Sequence, residues 1–151
     1  MLKKTIFLTL SAALFCGQAM AGGVTNIKEI VNNTPMMIEV RKSDIPAGAA
    51  GAEIQTTNEI PANGGTWTGD MWIPWADNRN DFLEKFLEIK VYRGGVFWLW
   101  QSGDYVRSNN RKIFVDNGRR AFGESRAGGE RRLIISMASN RPVFRLERYQ
   151  R

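Results

Sequence analysis

The sequence has no histidine and a single cysteine in 151 residues. Imidazole is the usual general base near neutral pH, the partner of serine and cysteine nucleophiles, and the commonest metal ligand. Its absence therefore excludes catalysis by Ser-His and Cys-His pairs and most zinc sites. Because no motif identifies a substrate either, these absences favour a protein that works by binding rather than by catalysis.

The amino terminus has the pattern of an export signal. Lys3 and Lys4 precede a mostly apolar run of 13 residues, 5–17, and Ala19, Met20 and Ala21 form a small-x-small cleavage site. The apolar run is too short for a transmembrane helix, which needs about 20 residues. We predict a Sec-type signal peptide over residues 1–21 of a bacterial protein, cleaved after Ala21, and a periplasmic or secreted location.

Cleavage changes the composition of the mature chain. It removes 21 of the 151 residues to leave 130, takes away Cys16, and lowers the formal net charge from +6 to +4 by removing Lys3 and Lys4. A chain of this length can bury a sufficient core without a disulfide or a metal, so we predict one domain over residues 22–151. Loss of the thiol also excludes cysteine chemistry.

The remaining charge is unevenly distributed. Residues 22–90 carry 6 basic and 10 acidic side chains, whereas residues 91–151 carry 13 basic and 5 acidic ones, and 12 of those 13 are arginine. Arginine can grip a carboxylate or phosphate with two parallel hydrogen bonds, which favours recognition of an anion. The alternative is that outward-facing strand positions carry arginine for solubility and to protect sheet edges.

Apolar residues alternate with polar ones in short runs along most of the mature chain, which is the pattern of half-buried strands. The alternating sets are Met36, Ile38 and Val40; Leu87, Ile89 and Val91; Ile113 and Val115; Leu133, Ile135 and Met137; and Phe144 with Leu146. Asn and Gly punctuate the intervals. This pattern predicts an all-β fold, an antiparallel β-sandwich or partly open barrel of about seven to nine short strands.

Helix is expected in one place at most. Asp81 and Glu84 are spaced as a capping box, and Phe82 and Phe86 lie four residues apart, which predicts one short helix near residues 81–87. Residues 46–65 are rich in Ala and Gly and are expected to form a long surface loop with at most a short strand.

Three tryptophans, Trp67, Trp72 and Trp75, occur within nine residues, close to Asp70, Asp77 and Arg79. Indole faces stack on sugar rings and also sit well at a membrane interface, and neighbouring carboxylates can accept hydrogen bonds from sugar hydroxyls. The segment is therefore a candidate glycan-binding or lipid-binding surface. The alternative is that all three indoles close one end of the core.

A second aromatic segment follows. Trp98 and Trp100 alternate with Phe97 and Leu99, so both faces of this strand are apolar and one of them is either covered or a ligand platform. The turn after it supplies further candidate ligand-binding residues, namely Asp104, Tyr105, Arg107 and Arg111. Nucleic acid is not expected as a partner, since an exported protein with a net charge of +4 rarely meets it.

No metal or cofactor site is predicted. The segment of residues 77–81 has oxygen-bearing side chains at alternate positions, but Arg79 occupies a ligand position and no glycine follows, so it does not match a calcium loop. Glycosidases need only two carboxylates, for which Asp70, Asp77, Asp81 and Asp104 are candidates. Because Asp is common in turns for local reasons, a carboxylate hydrolase stays a minor alternative.

The favoured hypothesis is an exported, non-catalytic binding protein that recognises a glycan or an anionic partner through the tryptophan segment and the Arg-rich strands. One alternative is a membrane-active β-sandwich of lipid-binding or pore-forming type, which would make peripheral contact with anionic lipid. Another is an inhibitor or interaction protein that acts on the surface of another exported protein. The sequence does not predict an oligomeric state.

Overall fold

The structure, a computed structural model, describes residues 23–44, 53–111 and 123–151, and these residues form two packed β-sheets. The elements are β1 (Thr25–Asn32), β2 (Ile38–Asp44), β3 (Glu53–Thr56), β4 (Gly65–Trp72), α1 (Arg79–Glu84), β5 (Phe86–Val91), β6 (Gly95–Ser102), β7 (Tyr105–Asn109), β8 (Gly123–Arg126), β9 (Gly129–Ala138) and β10 (Arg141–Arg148). The predicted all-β sandwich is confirmed. The signal peptide, the predicted strand at Ile113 and Val115, and the first part of the predicted loop, residues 46–52, lie outside the described residues.

The first sheet has the strand order β10-β9-β1-β4, and the second has the order β3-β2-β5-β6-β7-β8. Every pair of neighbouring strands is antiparallel except β1 and β9, which are parallel. The described residues thus contain ten strands, more than the seven to nine expected, and one parallel pair in a fold predicted to be antiparallel. The extra strands include β3 and β8, which have four residues each and are too short to show an apolar alternation.

The core lies between the two sheets and is built from the alternating positions. Ile38 and Val40 of β2, Leu87 and Ile89 of β5, and Leu133 of β9 are all buried there, as their sequence pattern predicts. Each such aliphatic side chain contributes about 1.5–3 kcal/mol through its burial. The sheets are therefore held together chiefly by apolar packing.

A second, smaller cluster lies on the outer face of the second sheet and explains why β6 is apolar on both sides. Trp100 of β6 packs there with Phe82 of α1, with ring centroids 4.6 Å apart, and Phe86 and Ala76 complete the cluster. The helix therefore acts as a cover for this part of the sheet.

Helix α1 begins two residues earlier than predicted and has six residues. Its cap is formed by Asn78 and Asp81, not by Asp81 and Glu84: the Asp81 backbone N–H donates to Asn78 Oδ1 (2.9 Å), and Asn78 Nδ2 donates to Asp81 Oδ2 (3.1 Å). Because Asn78 satisfies the Asp81 N–H, one of the free N–H groups of the first turn, it acts as the N-cap from which the helix starts.

Candidate functional site

The strand topology brings most of the residues singled out in the sequence to one end of the sandwich. The starts of β1 and β9 and the ends of β4 and β10 share this end in the first sheet, and the β6–β7 turn and the end of β8 reach it from the second. We call it the tryptophan end and define it as residues 23–28, 70–79, 101–107, 124–131 and 148–151.

Gln101 of β6 ties the two sheets together at the tryptophan end. Its fully buried side chain accepts hydrogen bonds at Oε1 from the Thr25 backbone N–H (3.2 Å) and the Thr25 hydroxyl (2.8 Å), and its Nε2 donates to the Gly23 carbonyl (2.6 Å). Thr25 Oγ1 in turn accepts from the Gly128 N–H (2.7 Å). This network holds the first residues of β1 against β6 and the β8–β9 link.

The backbone of Gln101 also holds the segment that carries Trp75. Beyond the first residue of β5, residues 74–76 take its place beside β6: the Gln101 N–H donates to the Pro74 carbonyl and the Ala76 N–H donates to the Gln101 carbonyl, both at 2.9 Å. Trp75 therefore sits on a segment fixed by backbone pairing, although it lies between a strand and a helix.

The three tryptophans of the segment do not share one environment. Trp72 is 48% exposed and Trp75 is 37% exposed, whereas Trp67 points inward and packs against the core. Trp67 lies over Gly69, where an added Cβ would come within 2.6 Å of the indole ring, so glycine is needed there. The interpretation as core packing is thus correct for Trp67, whereas Trp72 and Trp75 are exposed to solvent.

The indole of Trp75 is held in one orientation. Its Nε1–H donates to Asp77 Oδ1 at 2.5 Å, and the Asp77 backbone N–H donates to Asp81 Oδ2 at 3.3 Å. Asp81 belongs to the capping pair of α1, so the helix cap and the indole are linked through Asp77. Asp77 is exposed, so its other carboxylate oxygen can accept a further hydrogen bond beside the N–H edge of the indole.

Asp70 lies on the outer face of β4 and is hydrogen-bonded to side chains of β1. It accepts hydrogen bonds from Lys28 Nζ and from Asn26 Nδ2, the latter at 2.8 Å. Lys28 is the extra residue of an irregularity in the pairing of β1 with β9, since Ile27 pairs with Arg131 and Glu29 pairs with Arg132. The Lys28 hydrogen bond, followed by that from Asn26, holds the pKa of Asp70 below its usual 3.8.

We expect Lys28→Met to raise the pKa of Asp70 toward that usual value, because the largest cause of the lowered pKa is removed. A folded-state pKa below the unfolded one means that the pair stabilises the fold above about pH 4 and that this contribution is lost as the pH falls through the folded pKa. An NMR titration of the Asp70 carboxyl carbon measures the shift. Lys85→Met is the control and should leave it unchanged; an unchanged pKa in Lys28→Met would contradict the assignment.

Two arginines lie over the ring of Tyr105, the first residue of β7. The guanidinium carbons of Arg107 and Arg126 lie 5.8 Å and 5.7 Å from the centroid of its ring, within cation–π range. Arg107 is buried, and its Nε donates to Glu124 Oε2 (3.1 Å). Arg126 is exposed and has no carboxylate partner among the described residues.

The other candidates lie as follows. Arg79 is exposed at the start of α1, without an ion pair in the described segments, and Asp104 is half-buried in the β6–β7 turn. Arg111 follows the end of β7 and lies at the opposite end of the sandwich, so the structure separates it from the rest, as it does Trp67. Sequence reasoning missed the exposed Val24 and Leu83 and the arginines Arg126, Arg131 and Arg148, because only strand pairing brings them here.

The groove found among the described residues does not lie at the tryptophan end. A groove of about 70 Å³ lies at the opposite end, lined in part by Met37, Glu39 and Tyr92, and it is far smaller than the roughly 300–1,000 Å³ of typical ligand pockets. No group of three metal-ligating side chains comes together within the described part of the chain, and none of its helices is long and apolar enough to cross a membrane. Comparison with known proteins gave no match to family models, curated proteins or solved structures.

Proposed function

We propose that the protein is an exported, non-catalytic binding protein that recognises a glycan on the surface of its tryptophan end. The observation that carries the proposal is the pair Trp72 and Trp75, two exposed indoles three residues apart. Trp72 ends β4 and pairs with β1, and Trp75 lies on the segment whose backbone pairs with β6. An indole face gives a flat apolar surface on which the C–H face of a sugar ring can stack. Because both indoles are exposed on the surface, we infer that the ligand lies along it.

Polar groups next to the indoles supply the hydrogen bonds that a sugar needs. The free oxygen of Asp77 can accept from a hydroxyl, and Arg79 and Asn80 are exposed donors two and three residues further on. Since Asp77 already fixes the Trp75 ring, little side-chain freedom is lost when the ligand binds, which favours affinity.

The state of the carboxylates supports binding over hydrolysis. A glycosidase needs one carboxylic acid whose pKa is raised so that it can protonate the leaving group. The pKa of Asp70 is instead lowered, and its carboxylate is occupied by Lys28 and Asn26. Asp77 is occupied by the Trp75 indole. Both therefore act as fixed acceptors.

A second candidate function, peripheral membrane binding, is favoured by one further observation. Val24 is also exposed, so three large apolar side chains face solvent at the tryptophan end when Trp72 and Trp75 are included, and Leu83 is exposed on α1. Such a group can enter the headgroup region of a bilayer. The interspersed acidic residues Asp77 and Asp81 make an anionic bilayer the weaker of the two proposals.

We expect Trp75→Ala and Trp72→Ala each to weaken binding to a glycan array by tenfold or more, since a buried aromatic contact at an interface contributes about 2 kcal/mol. Tyr92→Ala is the matched control, because Tyr92 is an equally exposed aromatic residue at the opposite end of the sandwich. It should leave binding unchanged. Acrylamide should quench part of the tryptophan fluorescence of the free protein, and less of it in the two Trp variants.

Two results would contradict the proposal. One is glycan binding that both Trp variants retain at full strength; the other is no binding to any glycan on the array. Co-sedimentation with phosphatidylcholine vesicles that is lost in Leu83→Asp and Val24→Asp, in the absence of glycan binding, would establish the second candidate instead.

A further inference from the structure

Exposed side chains line one face of β4 over almost its whole length. Burial alternates along this strand, so that Trp67 and Met71 point toward the core while every second residue points to solvent on the outer face of the first sheet. We call the four exposed residues the β4 stripe; they are Thr66, Thr68, Asp70 and Trp72. Since a strand rises about 3.3 Å per residue, the stripe is about 20 Å long and suits an extended chain of sugars.

Within the stripe, Trp72 lies beside a fixed group of polar side chains. Asn26 of β1 pairs directly with Trp72, and its Nδ2 donates to Asp70 Oδ1 at 2.8 Å. Lys28 Nζ donates to the same oxygen. Asp70 and Trp72 are two residues apart on one face of the strand, about 7 Å along it. A sugar ring stacked on Trp72 therefore has an oriented carboxylate close to its hydroxyls.

The charged side chains around the stripe compensate one another. Four carboxylates on this half of the outer face are each in an ion pair: Asp70 with Lys28, Glu29 with Arg132, Glu130 with Arg151, and Glu147 with Arg145. One row across the sheet runs from the stripe through two of these pairs: Thr68, Glu29, Arg132 and Glu147. Because four acidic groups meet four basic ones, this surface offers hydrogen-bond donors and acceptors without net charge, which matches an uncharged ligand.

The ion pair nearest Trp72 also opposes an anionic ligand. The Asp70 side chain is 60% exposed and that of Lys28 only 20%, so the carboxylate is the more accessible member of the pair. A sulfate or carboxylate group on a sugar stacked on Trp72 would lie next to Asp70, while the nearest cation already donates to that carboxylate. Like charges placed together at an interface weaken binding, so this surface discriminates against acidic glycans.

We propose that the ligand is an uncharged polysaccharide that lies along the β4 stripe, with a sugar ring stacked on Trp72 and a sugar hydroxyl donating to Asp70. This inference rests on the proposed function for glycan binding itself, and adds the chemical class of the glycan and the face of the sheet that it covers. Trp72 and Asp70 make the contacts, whereas Lys28 and Asn26 are positioning residues that orient the carboxylate.

The test uses the mature protein and an array on which each oligosaccharide is present twice, as the neutral sugar and as its sulfated counterpart. We expect binding to neutral members of the array and binding that is weaker by about fivefold or more to their sulfated counterparts. Sulfated sugars bound as tightly as the neutral ones would overturn the proposal.

Asp70→Asn should change this preference. It removes the charged acceptor and frees the charge of Lys28, so neutral binding should weaken by about fivefold or more while sulfated binding strengthens. A loss of local structure alone would weaken both. Lys28→Met leaves an uncompensated carboxylate, so sulfated binding should weaken more than neutral binding, and Lys28→Arg should restore both.

Glu88→Gln is the matched control for Asp70→Asn. It also removes one carboxylate from an ion pair, that of Glu88 with Arg41 (3.5 Å), but on the outer face of the second sheet. Attraction of a sulfated sugar to the net charge of the protein therefore rises equally in the two variants. We expect the change of preference in Asp70→Asn alone; an equal change in both variants would overturn the proposal.

The outcomes distinguish this inference from the proposed function. If Trp72→Ala and Trp75→Ala lose glycan binding while sulfated and neutral sugars bind equally, the aromatic surface stands and the uncharged class fails. If Trp75→Ala loses glycan binding and Trp72→Ala retains it, glycan recognition stands and the β4 stripe fails. If no sugar of either kind is bound, both fail.

Discussion

Replacing Asn32 by alanine is expected to lower the free energy of unfolding by about 3–5 kcal/mol, because it strips several buried polar groups of their partners at once. Asn32 is the last residue of β1 and is fully buried. Its Nδ2 donates to the carbonyls of Met36 (2.7 Å), Ile60 (3.1 Å) and Pro61 (3.0 Å). Its Oδ1 accepts from the backbone N–H (3.0 Å) and the hydroxyl (2.7 Å) of Thr34.

These contacts make Asn32 the connection between β1, the β1–β2 turn and the segment before β4. The Thr34 hydroxyl has one proton to donate and two acceptors at 2.7 Å, Asn32 Oδ1 and the Met36 carbonyl, so the network closes on itself. Each buried group left without a partner costs about 1–3 kcal/mol, and a domain of this size is stable by only about 5–15 kcal/mol in total. The loss should therefore be visible as a large fall in the urea midpoint with an unchanged m-value.

Asn33→Ala is the matched control for Asn32→Ala. Asn33 has the same side chain one residue later, but it is exposed, and only its backbone N–H bonds, to the Ile135 carbonyl (2.7 Å). We expect a change within about 0.5 kcal/mol, as for most surface substitutions. Equal destabilisation by the two variants would show that the buried network of Asn32 contributes little.

The fold could be predicted from sequence where its signal is local. Leu87, Ile89 and Val91 alternate within one strand, and burial follows that alternation residue by residue. The parallel pairing of β1 with β9 could not be predicted, because Thr25 and Gly129 are more than 100 positions apart and neither segment carries a mark of its partner. In β8, only four residues long, no alternation can develop.

The candidate site could also be predicted only in part from the sequence. Trp67 and Trp72 are five residues apart in β4, so one strand must turn them to opposite faces, and their different exposure follows from that parity. Because the sequence alone does not give the bounds of β4, it does not predict that Trp67 and Trp72 lie on opposite faces of one strand. Arg131 and Arg148 become neighbours only through the pairing of β9 with β10, which no local pattern encodes.

Gln101→Ala is expected to destabilise the protein by about 3–4 kcal/mol and to loosen the tryptophan end in particular. The substitution leaves the buried Thr25 backbone N–H and the Gly23 carbonyl without their partners and opens a cavity between the sheets. The Thr25 hydroxyl loses its acceptor as well, although it still accepts from the Gly128 N–H. These groups all lie where β1 begins, so the cost falls on the start of β1 and its neighbours.

Because the lost hydrogen bonds all lie at the tryptophan end, Gln101→Ala should loosen that end in addition to lowering the free energy of unfolding. Amide hydrogen exchange of Thr25 and Gly128 should accelerate more than that of the Asn32 end, and glycan binding should weaken although no residue of the indole pair is changed. Gln55→Ala is the control, since Gln55 makes a single exposed hydrogen bond, to the Asp70 carbonyl (2.9 Å), and should cost less than about 1 kcal/mol. Unaltered exchange at Thr25 in Gln101→Ala would mean that core packing alone fixes the first residues of β1 and that the tryptophan end does not depend on Gln101 for its shape.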